Sequence, residues 1–383
     1  MDDYVRHQKA WRVIYATMYP YVKQRFNMTY ETLNIEGPIL LVPNHACAWD
    51  PLFVAMSLPD KQVYYVASEH LFRIGPVSRL IDYLVAPIPR RKASSGTDTV
   101  KACLRHLRAG HSICLFAEGE TTWNGRTAPI RNGTAALVRA AGVPLVTYRL
   151  QGGYVSAPRW GRGFRRGRIT GRVTGTLSRD EVRAMDPDEL SAFIGQGILE
   201  DAWETQRNDP VRCRGGGRAE QIEALLFLCP RCGSIGRLKG VRNRIVCGCG
   251  LDVTLDEGLL PREDAPFGDL EEWDRWQAGA FREMLRQDPD LCLREDREDL
   301  TLWEISGDGS PALLSRGALS MDGREMRAGD MRFPLAEITD LALLQNRKMA
   351  IAWAGRYFEL HSPGALCFRK YYLRWQQAAG STD

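Results

Sequence analysis

Short apolar runs alternate with stretches of helical periodicity over the first two hundred residues. Residues 38–42 leave no polar face and read as a fully buried strand. Residues 51–58 read as a helix, with Asp50 at the N-cap and Pro51 at the first helical position. Residues 62–67 predict a strand and 84–89 a short one. A helix over 97–108 is stopped by Gly110, a strand follows at 112–116, a helix over 133–141 is stopped by Gly142, and 144–150 is again strand-like. Strand–helix alternation of this kind predicts a layered α/β domain extending to about residue 205.

The pattern then changes. Residues 206–220, with Pro210 and three successive glycines from Gly215, read as a linker. A compact cysteine-rich unit occupies 221–258, and a tryptophan-bearing helix over 270–286 lies in a connector spanning 259–290. From 291 to 383 short strand-like runs recur at 300–305, 317–321, 332–334, 349–353 and 357–361. An amphipathic helix over 365–377 closes the chain, so this part predicts a small β-rich domain, similar in pattern to pleckstrin-homology-like folds.

The net charge of +4 excludes a general polyanion binder, but the charge is uneven. Six arginines and no acid lie between Arg159 and Arg172. The run suits phosphates or an anionic membrane, and equally a solvated loop. Residues 1–30 mix aromatic and basic side chains in 4–26, with Pro20 expected to interrupt any single helix. The segment can lie in a bilayer interface or pack on the domain's own core. No apolar run is long enough to span a membrane and no secretory signal is visible, which predicts a cytoplasmic protein or one peripheral on the membrane's cytoplasmic face. Ten cysteines without a disulfide framework fit a reducing compartment.

Two groups of residues carry chemistry. His45 and Asp50 are spaced five apart, which does not place them on one helical face. With His45 in the loop after a strand and Asp50 at the start of the next helix, the carboxylate can meet the imidazole. It then fixes the tautomer and leaves the other nitrogen as a base for a hydroxyl. Alone, Asp50 could be only a cap and His45 only a loop histidine. The second group is Cys229, Cys232, Cys247 and Cys249, in two glycine-rich turns with fourteen residues between Cys232 and Cys247. Four thiolates so placed predict a closed structural zinc site resembling a zinc ribbon. Neighbouring arginines lack interleaved aromatics for base stacking, which argues against nucleic acid as the partner.

Residues 35–150 resemble the glycerolipid acyltransferases, the family that includes lysophosphatidic acid acyltransferases. The first block is His-x4-Asp preceded by Asn, here Asn44-His45 through Asp50. The second carries an arginine after a short strand, here Arg90 and Arg91. The third is normally Phe-Pro-Glu-Gly-Thr-Arg-Ser and here runs Phe116-Ala117-Glu118-Gly119-Glu120-Thr121-Thr122. Arg131-Asn132-Gly133 resembles the family's Lys-x-Gly turn, and Val143-Pro144 opens the fourth block. The resemblance implies an O-acyltransferase in which His45, oriented by Asp50, deprotonates a lysophospholipid-like acceptor. The donor would be acyl-coenzyme A or an acyl carrier protein, and backbone N–H groups near Glu118 and Gly119 would help hold substrate. It also implies that Asn44, Arg90, Arg91, Glu118, Gly119, Thr121, Thr122 and Arg131 contact substrate. Two departures matter: Thr121 stands where the family has its phosphate-gripping arginine, and Glu120 adds a negative charge beside it. Those departures leave a second reading open, a catalytically inactive lipid-binding or scaffold protein on the same fold.

Overall fold

The computed structural model describes residues 3–68, 82–90, 96–307, 309–344 and 346–380. The chain divides near Gly215–Gly216 into two compact units.

In the first unit, seven strands among the described residues form one sheet in the order β1-β7-β6-β2-β5-β3-β4. These are β1 (Met28–Tyr30), β2 (Leu40–Pro43), β3 (Val63–Ser68), β4 (Ile88–Arg90), β5 (Ser112–Cys114), β6 (Leu145–Gln151) and β7 (Ile169–Leu177). The neighbours β6, β2, β5, β3 and β4 run parallel, β7 runs antiparallel to β6, and β1 pairs parallel with β7. The apolar run at 39–42 is explained by burial on both faces. Ile39 and Leu41 enter one core cluster, and Leu40 and Val42 the other. Helix α1 (Asp3–Phe26) and α2 (Asp50–Met56) contribute to the first cluster. Helices α3 (Thr97–Arg108), α4 (Thr134–Ala141) and one over Pro187–Ile198 contribute to the second.

Three expectations change. Helix α1 continues through Pro20 as one element. Its two halves are held by tertiary contacts: Trp11, Val22 and Phe26 are buried, and the Trp11 indole donates to the Leu58 carbonyl (2.9 Å). These offset the single backbone bond that Pro20 removes. The aromatic face of the segment is thereby taken by the domain's own core. The expected linker over 206–220 is partly structured, because a helix covers Ala202–Asn208 and Val211 and Cys213 are buried. Finally, Trp49 rather than Asp50 is the N-cap of α2.

In the second unit, β8 (Lys239–Val241), β9 (Arg244–Val246) and β10 (Asp252–Thr254) make a small antiparallel sheet beside the cysteine turns. A helix over Leu270–Gln287 buries Trp273, Phe281 and Leu285. Among the described residues, the strands from Leu293 to His361 form a seven-stranded antiparallel sheet, and a helix over Phe368–Ala378 follows. The β-rich C-terminal region closed by a helix is therefore as expected from its pattern. The strands at 325–328 and 338–344 were not legible, being short or lacking a clean alternation.

Candidate active site

Strand β2 ends at Pro43, and the next residues carry the site at the carboxyl end of the parallel strands, where α/β sheets present their ligands. Asn44 is buried and fixes this end. Its Nδ2 donates to the Leu150 carbonyl (2.9 Å), and its Oδ1 accepts from the Leu150 N–H (2.7 Å). The side chain thus clamps β2 to β6 and holds the following loop in place.

Asp50 opens α2 but its carboxylate turns back into that loop. Oδ2 accepts from the Ala46 N–H (2.6 Å), the Cys47 N–H (2.8 Å) and His45 Nδ1 (2.9 Å). Cys47 Sγ donates to Oδ1 (3.2 Å). Burial, reinforced by the Asp50 charge, pushes the Cys47 thiol well up, so it stays a donor. The Asp50 side chain is 0% exposed, whereas that of His45 is 17% exposed. A carboxylate that only accepts puts the hydrogen on Nδ1 and leaves Nε2 as the basic nitrogen. The imidazole is stacked on Phe116, with ring centroids 4.1 Å apart. Its position is therefore set from two directions.

Glu118 follows β5 and is buried. Oε1 accepts from the His45 N–H (2.6 Å) and Oε2 from the Ala128 N–H (2.8 Å). Burial pushes its carboxyl up to about 8, against the pull of those two amides. Glu118 therefore acts on the backbone that carries the histidine. The Gly119 N–H already donates to the Phe116 carbonyl (3.0 Å), so it is not directed at a substrate in this conformation. The left-handed backbone at Gly119 (φ 78°) turns the chain closely over Arg131, whose Nε donates to the Glu118 carbonyl (3.1 Å). Thr122 closes the loop: its N–H donates to the His45 carbonyl (2.9 Å), and its hydroxyl donates to the Arg126 carbonyl (2.5 Å).

Arg90 ends β4 at the same edge. Burial, and secondly the charge of nearby Arg131, pushes its guanidinium down. Arg91 lies outside the described residues. Glu120 does not stand as a bare charge: Arg159 Nη1 donates to its Oε2 (2.7 Å) and to the Thr121 carbonyl (3.0 Å), while the guanidinium lies over the Trp123 ring (4.0 Å). The loop at Thr121 thus receives a guanidinium from elsewhere in the chain.

Sequence reasoning missed three contributors. Arg159 belonged to the arginine run, but nothing in the spacing tied it to Glu120. Gly153 passes so near the loop that a Cβ there would lie 3.3 Å from Ala46 Cβ and 3.4 Å from Asp50 Oδ1. Glu200, buried and pushed by that burial up to about 7, helps line a cavity of about 10 Å³ beside His45, and its carboxylate accepts from Gln151 and Thr205.

In the second unit, the Sγ atoms of Cys229, Cys232, Cys247 and Cys249 all lie within 4.8 Å of one another. The pairs 229–249 and 232–247 are 3.7 and 3.9 Å apart. Sulfurs at ~2.3 Å from one tetrahedral ion would be separated by about 3.8 Å, so the cluster has the dimensions of a metal site.

Comparison with known proteins agrees with this geometry. An acyltransferase family model matches residues 25–151. The chain is 26% identical over 145 residues to the chloroplastic 1-acyl-sn-glycerol-3-phosphate acyltransferase BAT2 of Brassica napus, covering 38% of this chain and 41% of that one. The chloroplastic 1-acyl-sn-glycerol-3-phosphate acyltransferase LPAT1 of Arabidopsis thaliana is likewise 26% identical over 145 residues, 38% of this chain and 40% of its own. The match therefore spans about two fifths of the length of these relatives. The solved structure of the 1-acyl-sn-glycerophosphate acyltransferase PlsC from Thermotoga maritima aligns with a TM-score of 0.42 at 18% identity, over 50% of this chain and 78% of that one. Residues 25–151 thus match an acyltransferase family model, and within them the His-x4-Asp pair is closed in space.

Proposed function

We propose that this protein is an O-acyltransferase that moves a fatty acyl group from an acyl thioester to the hydroxyl of a lysophospholipid-like acceptor, 1-acylglycerol-3-phosphate first among them. The observation that carries the reading is the 2.9 Å contact between His45 Nδ1 and a fully buried Asp50 carboxylate, with the imidazole edge partly open. His45 Nε2 takes the acceptor's proton as its oxygen attacks the thioester carbonyl. The tetrahedral adduct collapses with loss of the thiolate, and the imidazolium returns the proton to that sulfur. Asp50 stabilises the imidazolium while it exists. Arg90 and Arg131 contact the acceptor phosphate. The Arg159–Glu120 pair removes the repulsion that an unpaired carboxylate would exert there.

Cys229, Cys232, Cys247 and Cys249 hold a structural zinc ion, which supplies folding energy to the turns that carry them. No helix among the described residues is long and apolar enough to cross a membrane. We place the protein peripherally on the cytoplasmic face. The outer side of α1, with Val13 and Tyr21 exposed beside Arg12 and Lys23, supports contact with a lipid surface.

The test is acyl transfer by the purified full chain with labelled donor and a panel of lysolipids. Transfer that vanishes in His45→Ala supports the reading. A His45→Ala protein as active as wild type would overturn it in favour of another catalytic group. No transfer to any acceptor would favour the lipid-binding scaffold.

A further inference from the structure

Four of the chain's arginines gather at a cleft well apart from the His45 loop. Residues 165–168 and 211–214 run side by side, joined where the Arg214 N–H donates to the Arg166 carbonyl (3.2 Å). Both strips alternate buried and exposed positions, so Val211 and Cys213 face inward while Arg166, Arg212 and Arg214 face out. Gly167 permits the pairing: a Cβ there would lie 2.7 Å from both Cys213 Sγ and Ser156 Oγ. Between the strips and Asn27 is a cleft of about 370 Å³ that also takes Arg168. Arg168 is paired with Asp209 at 2.5 Å. Among the described residues no carboxylate pairs with Arg166, Arg212 or Arg214. Three cations without counter-charge, lining a concave surface of small-molecule size, suit a compact polyanion.

Topology relates this cleft to the catalytic loop. Arg168 immediately precedes β7 and Asn27 immediately precedes β1. Because β7 is antiparallel to β6, these ends lie at the same edge of the sheet as the carboxyl end of β2, where His45 sits. With strands ~4.8 Å apart, two to three strand spacings put the cleft roughly 10–14 Å to the side of His45. The phosphate of a glycerolipid acceptor is only a few covalent bonds from its reacting hydroxyl. It cannot reach the cleft while that hydroxyl is at Nε2. An acyl-coenzyme A donor is built differently, with its thioester separated from its phosphates by the extended pantetheine arm.

On the acyl-transfer reading, we propose that Arg166, Arg212 and Arg214 bind the nucleotide phosphates of a coenzyme A donor. The probe is adenosine 3′,5′-bisphosphate, titrated calorimetrically into the full chain. Wild type binds it, with affinity falling as salt rises, and the Arg166→Gln/Arg212→Gln/Arg214→Gln variant binds at least tenfold more weakly. Arg212→Gln alone gives an intermediate loss and guards against a variant that misfolds. Kinetics give a second readout. The triple variant raises KM for acyl-coenzyme A about tenfold or more and leaves acyl-pantetheine turnover unchanged. Equal effects on both donors, or wild-type turnover of acyl-coenzyme A with no bisphosphate binding, would overturn the site while leaving acyl transfer intact. Bisphosphate binding lost in the variant, with no turnover of any donor by wild type, would keep the site and overturn acyl transfer instead. Unchanged bisphosphate affinity with lost binding to phosphatidylglycerol vesicles, or with lost use of acyl carrier protein, would assign the cleft to those partners and overturn the nucleotide assignment.

Discussion

Replacing Asp50 by asparagine removes one charge and almost no volume from the catalytic loop. The amide oxygen is expected to take the place of Oδ2, because the Ala46 and Cys47 N–H groups, at 2.6 and 2.8 Å, require an acceptor there. A flipped amide would leave both donors unpaired, at a cost of about 1–3 kcal/mol each. The loop and the imidazole should therefore stay where they are. What is lost is the attraction between the carboxylate and the imidazolium that forms as the acceptor is deprotonated. At a charge separation of ~4 Å and an effective dielectric of ~20, that attraction is about 4 kcal/mol. The expected outcome is a fall in kcat of about a thousandfold, with KM for the acyl donor unchanged. Thiol release followed spectrophotometrically, on protein whose melting curve matches wild type, measures both constants. A folded Asp50→Asn protein within tenfold of wild-type kcat would refute the electrostatic role assigned to Asp50.

Asn44→Ala leaves the N–H and C=O of Leu150 without their partners and should destabilise the domain by roughly 2–5 kcal/mol; a denaturant melt with unchanged midpoint would count against the β2–β6 clamp. Glu118 has its folded-state value raised from 4.5 to about 8, so the unfolded chain releases this proton at lower pH than the folded one. Its contribution to stability is complete below about pH 4.5 and is lost as pH rises to about 8, with a slope of up to about 1.4 kcal/mol per pH unit. In Glu118→Gln this component of the pH dependence should disappear, which melts from pH 5 to 8 can read. Metal analysis of the full chain should find one zinc per molecule. Cys232→Ser, or a strong chelator, should remove the metal and expose the ribbon around Cys229 and Cys247 to proteolysis; equal resistance with and without metal would argue against a structural role.

The sequence by itself determined the α/β class of the first domain and the position of most of its central strands. Doubly buried strands need continuous apolar runs, and the glycines after α3 and α4 end those helices locally. It also singled out His45, Asp50 and the four cysteines, because the chemistry needs those residue types at short separations along the chain, while Glu118 was picked out by the resemblance of residues 116–122 to the acyltransferase third block. Proximity between distant segments was decided only in three dimensions. The proline in α1 became tolerable once Trp11 and Phe26 were buried against the sheet. Glu120, which reads as a repelling charge, is neutralised by Arg159, thirty-nine positions away. Asn44, read as a substrate contact, also bonds to the backbone of Leu150, 106 positions away. Arg166 and Arg214 became one cleft through a single backbone pairing. Local propensity and periodicity act over a few residues and are visible in a string of letters. Charge compensation and cleft formation depend on which strands pair, and that is fixed by packing of the whole sheet.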